Sequence, residues 1–136
     1  MAAASPRKGA YLDSSAIVKL VVREPESAAL RRYLRARRPY LASALVRTEV
    51  ARAVLPNGDA AGRQAAETLQ RFDLVRINNR ILNGAGSMQP AALRSLDAIH
   101  LATAQLLGDA VGVVVTYDER MAEAARALGF TVASPA

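Results

Sequence analysis

The chain has no cysteine and no tryptophan, and aromatic residues make up only 4% of its 136 positions. Without thiols there is neither a disulfide framework nor thiolate ligation of zinc, which fits a protein of the reducing cytoplasm. The scarcity of rings argues against a base-stacking surface of the RRM or OB type. Lysine is nearly missing as well: Lys8 and Lys19 are the only two among 18 basic residues. No stretch approaches the 18 or more apolar residues of a membrane span, and the opening MAAASPRKG has no apolar segment of signal-peptide type. These absences predict a soluble cytoplasmic protein with no membrane association.

What the chain does have is apolar content and arginine. Hydrophobic residues reach 51% and mean hydropathy is +0.09, enough for one core that buries roughly two thirds of the unfolded surface. A single domain over residues 10–136 is expected, with residues 1–9 as a flexible extension. The formal net charge is +6 and the pI near 10.5, which favours an anionic partner such as nucleic acid or an acidic protein. Because the excess is almost all arginine, bidentate grip on phosphate or carboxylate is available.

Helical and strand patterns alternate along the chain. GAYLD reads as a strand, SSAIVKLVV as a helix, and EPESAALRRYLRARR as a second helix with Pro25 in its first turn. PYLAS is a brief strand; ALVRTEVARAVL is a helix stopped by Pro56, Asn57 and Gly58. DAAGRQAAETLQRF is a further helix and DLVRI a strand, whereas NNRILNGAGSMQPAAL mixes helix with Gly and Pro loop. SLDAIHLATAQLL is a helix, VGVVVT a strand, DERMAEAARALG a helix and FTVAS a closing strand. Strands separated by helices imply an α/β layer fold with a mainly parallel central sheet.

In such sheets ligands bind beyond the carboxyl ends of the strands. Asp13 ends the first strand and Asp118 follows VGVVVT, so both are expected at the same sheet edge. Asp97 opens a helix and Glu49 lies within one, each among apolar or small neighbours and with no lysine near in sequence. Four acids are therefore candidates for one pocket.

YLDSSAIVKLVVREPES, LASALVRTEVARAV, SLDAIHLATAQLL and VVVTYDERMAEAARALGFTVASP stand in the order and spacing of the PIN domain. The chain resembles in particular the VapC-type toxins of bacterial toxin–antitoxin pairs, over about residues 10 to 135. Carried over position by position, the family's acidic quartet falls on Asp13, Glu49, Asp97 and Asp118, with none substituted. The resemblance implies a PIN-like three-layer α/β/α fold and a metal-dependent endoribonuclease. It also implies Mg2+ or Mn2+ as the cofactor and a VapB-type antitoxin as the inhibiting partner.

Elementary electrostatics supports the same assignment. Two carboxylates about 5 Å apart repel by roughly 3 kcal/mol at an effective dielectric near 20, so four together take up protons or hold a cation. A hard divalent ion suits oxygen ligands, lowers the pKa of a coordinated water and screens an incoming phosphate. Asp13 and Asp97 are expected as the main metal ligands, with Asp118 completing the site or serving a second ion, and Glu49 as the group that orients or deprotonates the attacking water. In-line attack by water activated in this way leaves a 5′-phosphate and a 3′-hydroxyl, without use of the RNA 2′-hydroxyl.

The neighbours have blander readings. His100, the only histidine, lies three residues after Asp97 on the same helical face and is read as a locally hydrogen-bonded core residue rather than a ligand or base. Ser14 and Ser15 are read as helix caps. Thr116 either orients Asp118, contacts phosphate, or simply ends its strand, and Glu119 is the exposed neighbour of Asp118. Glu24 and Glu26 suit a first helical turn, Asp59 a helix start, Asp73 a turn before a strand and Asp109 a turn after Gly108. RRYLRARR reads first as the solvated face of a helix and second as an RNA-backbone contact.

Other classes fare less well. A phosphoacceptor receiver is expected to use a lysine near its last strands, and none follows Lys19. An Asp-x-Asp phosphatase is disfavoured because Ser14 and Ser15 follow Asp13, and no glycine-rich phosphate loop occurs. The remaining alternative is a non-catalytic PIN-fold module that binds RNA or protein. An apolar helical surface also suits a homodimer.

Overall fold

A computed structural model describes residues 7–136. The expected extension over residues 1–9 falls largely on residues 1–6, outside the described residues; the first strand, β1, already begins at Gly9. The strands are β1 (Gly9–Leu12), β2 (Tyr40–Ser43), β3 (Phe72–Val75), β4 (Val111–Val115) and β5 (Val132–Ala133). The helices are α1 (Ser14–Val21), α2 (Ser27–Leu34), α3 (Val46–Val54), α4 (Asp59–Leu69), α5 (Asn79–Gly86), α6 (Ser95–Leu107) and α7 (Glu119–Ala127).

All five strands are parallel, in the order β3-β2-β1-β4-β5. Strands covered on both faces read as continuous apolar runs, and GAYL in β1 is buried throughout. Alternation along β1 divides the core. Ala10 and Leu12 pack with Ile17 of α1, Leu30 of α2 and Val46, Val50 and Val54 of α3. Tyr11 points the other way, to Leu101 and Ala104 of α6 and Met121 and Ala125 of α7. Val113 and Val115 of β4 follow the first set and Val114 the second, which yields the expected α/β/α sandwich.

The sheet order explains where a site belongs. From β1 the chain steps outward through β2 and β3, then returns to β4 on the opposite flank of β1. The direction of winding reverses between β1 and β4, and sheets of this kind take their ligands at such a point, beyond the strands' carboxyl ends. Asp13 follows the last residue of β1, and Asp118 lies three residues beyond β4.

Several local expectations need correction. The second helix starts at Ser27 and ends at Leu34, so Pro25 lies in the preceding turn and Arg35–Arg38 lie beyond the helix. Glu24 lies in the turn before the helix and Glu26 is its N-cap without a side-chain cap bond, and both carboxylates bridge the Lys19 ammonium at 3.3 and 3.0 Å. Burial pulls that ammonium down, yet the two carboxylates outweigh it and its pKa is raised. Asp73 is an exposed residue within β3 rather than in a turn before it. The mixed segment after β3 resolves into α5, capped by Asn78, whose side chain accepts from the Ile81 backbone N–H at 2.9 Å.

Candidate active site

Asp13 is both a helix cap and the most enclosed of the acids. Its Oδ1 accepts from the Ala16 backbone N–H at 3.1 Å, and the residue is only 3% exposed. Ser15, read from sequence as a cap, instead donates its hydroxyl to Asp13 Oδ1 at 2.6 Å and accepts from the Tyr117 N–H at 3.0 Å. Thr116 donates to Asp13 Oδ2 at 2.6 Å and accepts from the Asp118 N–H at 3.1 Å. Two hydroxyls thus tie the loop after β4 to the acid after β1. Burial nonetheless raises the Asp13 pKa, with those hydroxyls pulling it partly back.

Asp118 caps α7, its Oδ1 accepting from the backbone N–H groups of Arg120 and Met121 at 2.9 and 3.2 Å. Glu119 beside it is exposed, as expected. Asp97 lies in the first turn of α6 and is part buried. Its pKa is raised, first by desolvation and then by the charges of Asp118 and Asp13, with a smaller push from Glu49. The structure therefore brings Asp97 within electrostatic reach of the other three expected acids. Among the described residues, no arginine or lysine forms a salt bridge with any of them.

Glu49 occupies the first turn of α3, and its Oε1 lies 2.6 Å from His100 Nε2. The reading of His100 as locally bonded is wrong. The ring is 1% exposed, and its partners come from distant elements: Glu49 through Nε2, and the Tyr11 hydroxyl through Nδ1 at 3.1 Å. Tyr11 was missed altogether in the sequence. Strand alternation was the available signal, because Tyr11 and Asp13 are two residues apart and Asp97 and His100 share a helical face.

A hard divalent ion fits the donor chemistry: four carboxylates, Asp13 and Asp97 desolvated, with His100 on Glu49 as their one basic partner among the described residues. No three His, Asp or Glu side chains among the described residues stand close enough to form a ready metal cage. The arrangement suits an ion that keeps several waters and takes one or two carboxylates directly, as magnesium does. Asp118 lines an open hollow of about 310 Å³ with Tyr117, Glu119 and Ser134, and a larger one of about 520 Å³ lies between Pro90–Leu93 and α7.

The chain has known relatives. The PIN domain family matches residues 10–127, and the chain is 57% identical over 125 residues to Ribonuclease VapC46 of Mycobacterium tuberculosis, covering 92% of this chain and 96% of that one. The chain belongs to the PIN-domain family of VapC ribonucleases. Two solved structures share its fold. A toxin–antitoxin complex from Klebsiella pneumoniae aligns with a TM-score of 0.73 at 22% identity, over 94% of this chain and 98% of that one. The crystal structure of Mycobacterium tuberculosis VapC20, described as a sarcin–ricin loop cleaving toxin, aligns with a TM-score of 0.75 at 16% identity, over 93% and 100%. Among the described residues no helix is long and apolar enough to cross a membrane.

Proposed function

We propose that this VapC-family chain is a cytoplasmic endoribonuclease toxin that hydrolyses RNA phosphodiesters with Mg2+ or Mn2+ and is neutralised by a small cognate antitoxin, with residues 10–136 acting as one domain. Asp13, Asp97 and Asp118 would hold the ion, one or two of them directly and the rest through water. When bound, it supplies positive charge for the phosphate and lowers the pKa of water in its shell. Glu49 orients the attacking water and accepts its proton. Asp13 is fixed for its task by Ser15 and Thr116, and Asp118 by its cap on α7. An arginine supplied by the antitoxin is a suitable inhibitor, because it pairs with the same carboxylates.

The observation that carries this reading is the meeting of the acids around Asp97, where the charges of Asp118, Asp13 and Glu49 all act, with no arginine or lysine paired to any of them among the described residues, at the point where the sheet reverses. The test is brief expression followed by sequencing of RNA ends, together with cleavage by the purified chain. Expected products carry a 5′-phosphate and a 3′-hydroxyl, and Asp97→Asn folds but does not cleave. A 2′,3′-cyclic phosphate, or full activity in that variant, defeats the mechanism. Absence of cleavage by the pure wild-type chain with either ion favours the non-catalytic binding module instead. The same sequencing identifies the RNA class.

A further inference from the structure

We infer that His100 is a positioning residue for Glu49, aiming that carboxylate through a buried Tyr11–His100–Glu49 hydrogen-bond chain. The inference rests on the reading of Glu49 as the group that orients the attacking water. Three elements contribute: Tyr11 from the central strand β1, His100 from α6 and Glu49 from α3.

A carboxylate only accepts, so Nε2 of His100 carries the hydrogen and donates to Glu49 Oε1 at 2.6 Å. The second nitrogen, Nδ1, is held by the Tyr11 hydroxyl at 3.1 Å. The Tyr11 ring is fully buried and stands edge-on to the imidazole at 73°, with centroids 6.2 Å apart. Both ends of the imidazole are therefore fixed, and β1 sets the direction in which Nε2–H points.

Glu49 has a long side chain with several free torsions, and it is only part buried at the opening of α3. Among the described residues its Oε2 makes no hydrogen bond, whereas Oε1 is committed to His100. That division suits a carboxylate whose one oxygen is an anchor and whose other oxygen works. A role in packing alone does not explain the ring. Burying an imidazole is costly unless its nitrogens are bonded, and an aliphatic side chain of similar size fills the same space without that demand.

The test uses the full chain without a histidine tag, where His100 is the single histidine and its ring signals are unambiguous. His100→Leu is expected to lower kcat by roughly 10- to 100-fold with KM changed by no more than about twofold, as for a misaimed catalytic group. His100→Gln, which keeps an N–H donor near the Nε2 position, restores most of the rate, and Tyr11→Phe gives a smaller loss. In a Glu49→Ala background, His100→Leu adds nothing further, because the two act as one unit. Nitrogen-15 spectra of the ring are expected to show a slowly exchanging Nε2–H that exchanges faster in Glu49→Ala.

A normal loss in Glu49→Ala with a full additional loss from His100→Leu overturns the positioning role, as does a ring N–H unchanged by Glu49→Ala. Wild-type cleavage by Glu49→Ala instead overturns the reading of Glu49 itself. Urea unfolding midpoints accompany each variant. If His100→Leu fails to fold, the Gln and Phe variants and the ring spectrum decide.

Discussion

Thr116 shows how much one hydroxyl carries. It donates to Asp13 Oδ2 and accepts from the Asp118 N–H, so Thr116→Val removes both bonds while keeping the side-chain shape. Asp13 is already raised by burial, and losing a donor moves it further from the charged form. Cleavage is expected to fall at least about tenfold and stability by about 1–3 kcal/mol, the range for an orphaned buried polar group, whereas Thr116→Ser retains most of both; initial rates and urea midpoints check this. Asp97 supplies the pH dependence. Its folded pKa lies above the ordinary carboxylate value, so without metal the fold loses stability as pH rises from the unfolded pKa through the folded one. Asp97→Asn is therefore expected to raise stability at neutral pH, by on the order of 1 kcal/mol or less for a partly exposed group, and with it the Tm, while abolishing cleavage, with the gain vanishing toward pH 3. Added Mg2+ or Mn2+ is expected to stabilise the wild-type chain, by about 2.7 kcal/mol at a hundredfold excess over Kd, and the variant far less. Thermal scans across pH, with and without metal, read both effects.

At the scale of elements, close approach of backbones sets the sheet. A β-carbon added to Gly9 collides with the carbonyl oxygen of Pro39, the same oxygen that accepts from the Ala10 N–H at 3.0 Å. Gly9→Ala is expected to destabilise the chain by about 1–3 kcal/mol through overpacking, read as a lower urea midpoint at unchanged m-value. The strand core was legible because apolar runs flanked by turns leave few alternatives: VGVVVT became β4, and SLDAIHLATAQLL became α6 without a change of boundary. The acids at the strand ends were legible for a related reason, since α/β winding fixes which sheet edge carries ligands. Helix ends and hydroxyl partners were not. Nothing local distinguishes Pro25 inside a helix from Pro25 in the turn before it; the pull of Lys19 on Glu24 and Glu26 is a tertiary contact. Likewise, the pairing of Ser15 and Thr116 with Asp13 depends on β1 lying beside β4, which no single segment records.

The whole molecule combines a net charge of +6 with a cluster of acids around Asp97, and these two features pull in opposite directions on an RNA chain. The arginines of α2 and of the loop after it stay at the surface, the Arg37 guanidinium lying over the Tyr33 ring at 4.0 Å and that of Arg38 over Tyr40 at 5.3 Å. If the basic surface grips the phosphate backbone while the acids carry the chemistry, the two contributions separate in their response to salt. Counterion release makes the logarithm of affinity fall linearly with the logarithm of salt, by about 0.7 for each phosphate neutralised on a single strand. Binding of a short single-stranded RNA by the inactive Asp97→Asn chain, measured by fluorescence anisotropy from low to moderate salt, is expected to give a slope corresponding to several phosphates. Without metal, wild type is expected to show the same slope with weaker affinity, since it presents one more negative charge to the phosphate. Adding metal closes that gap only for the wild type. A flat salt dependence would mean that the arginine excess faces away from the RNA and serves another acidic partner.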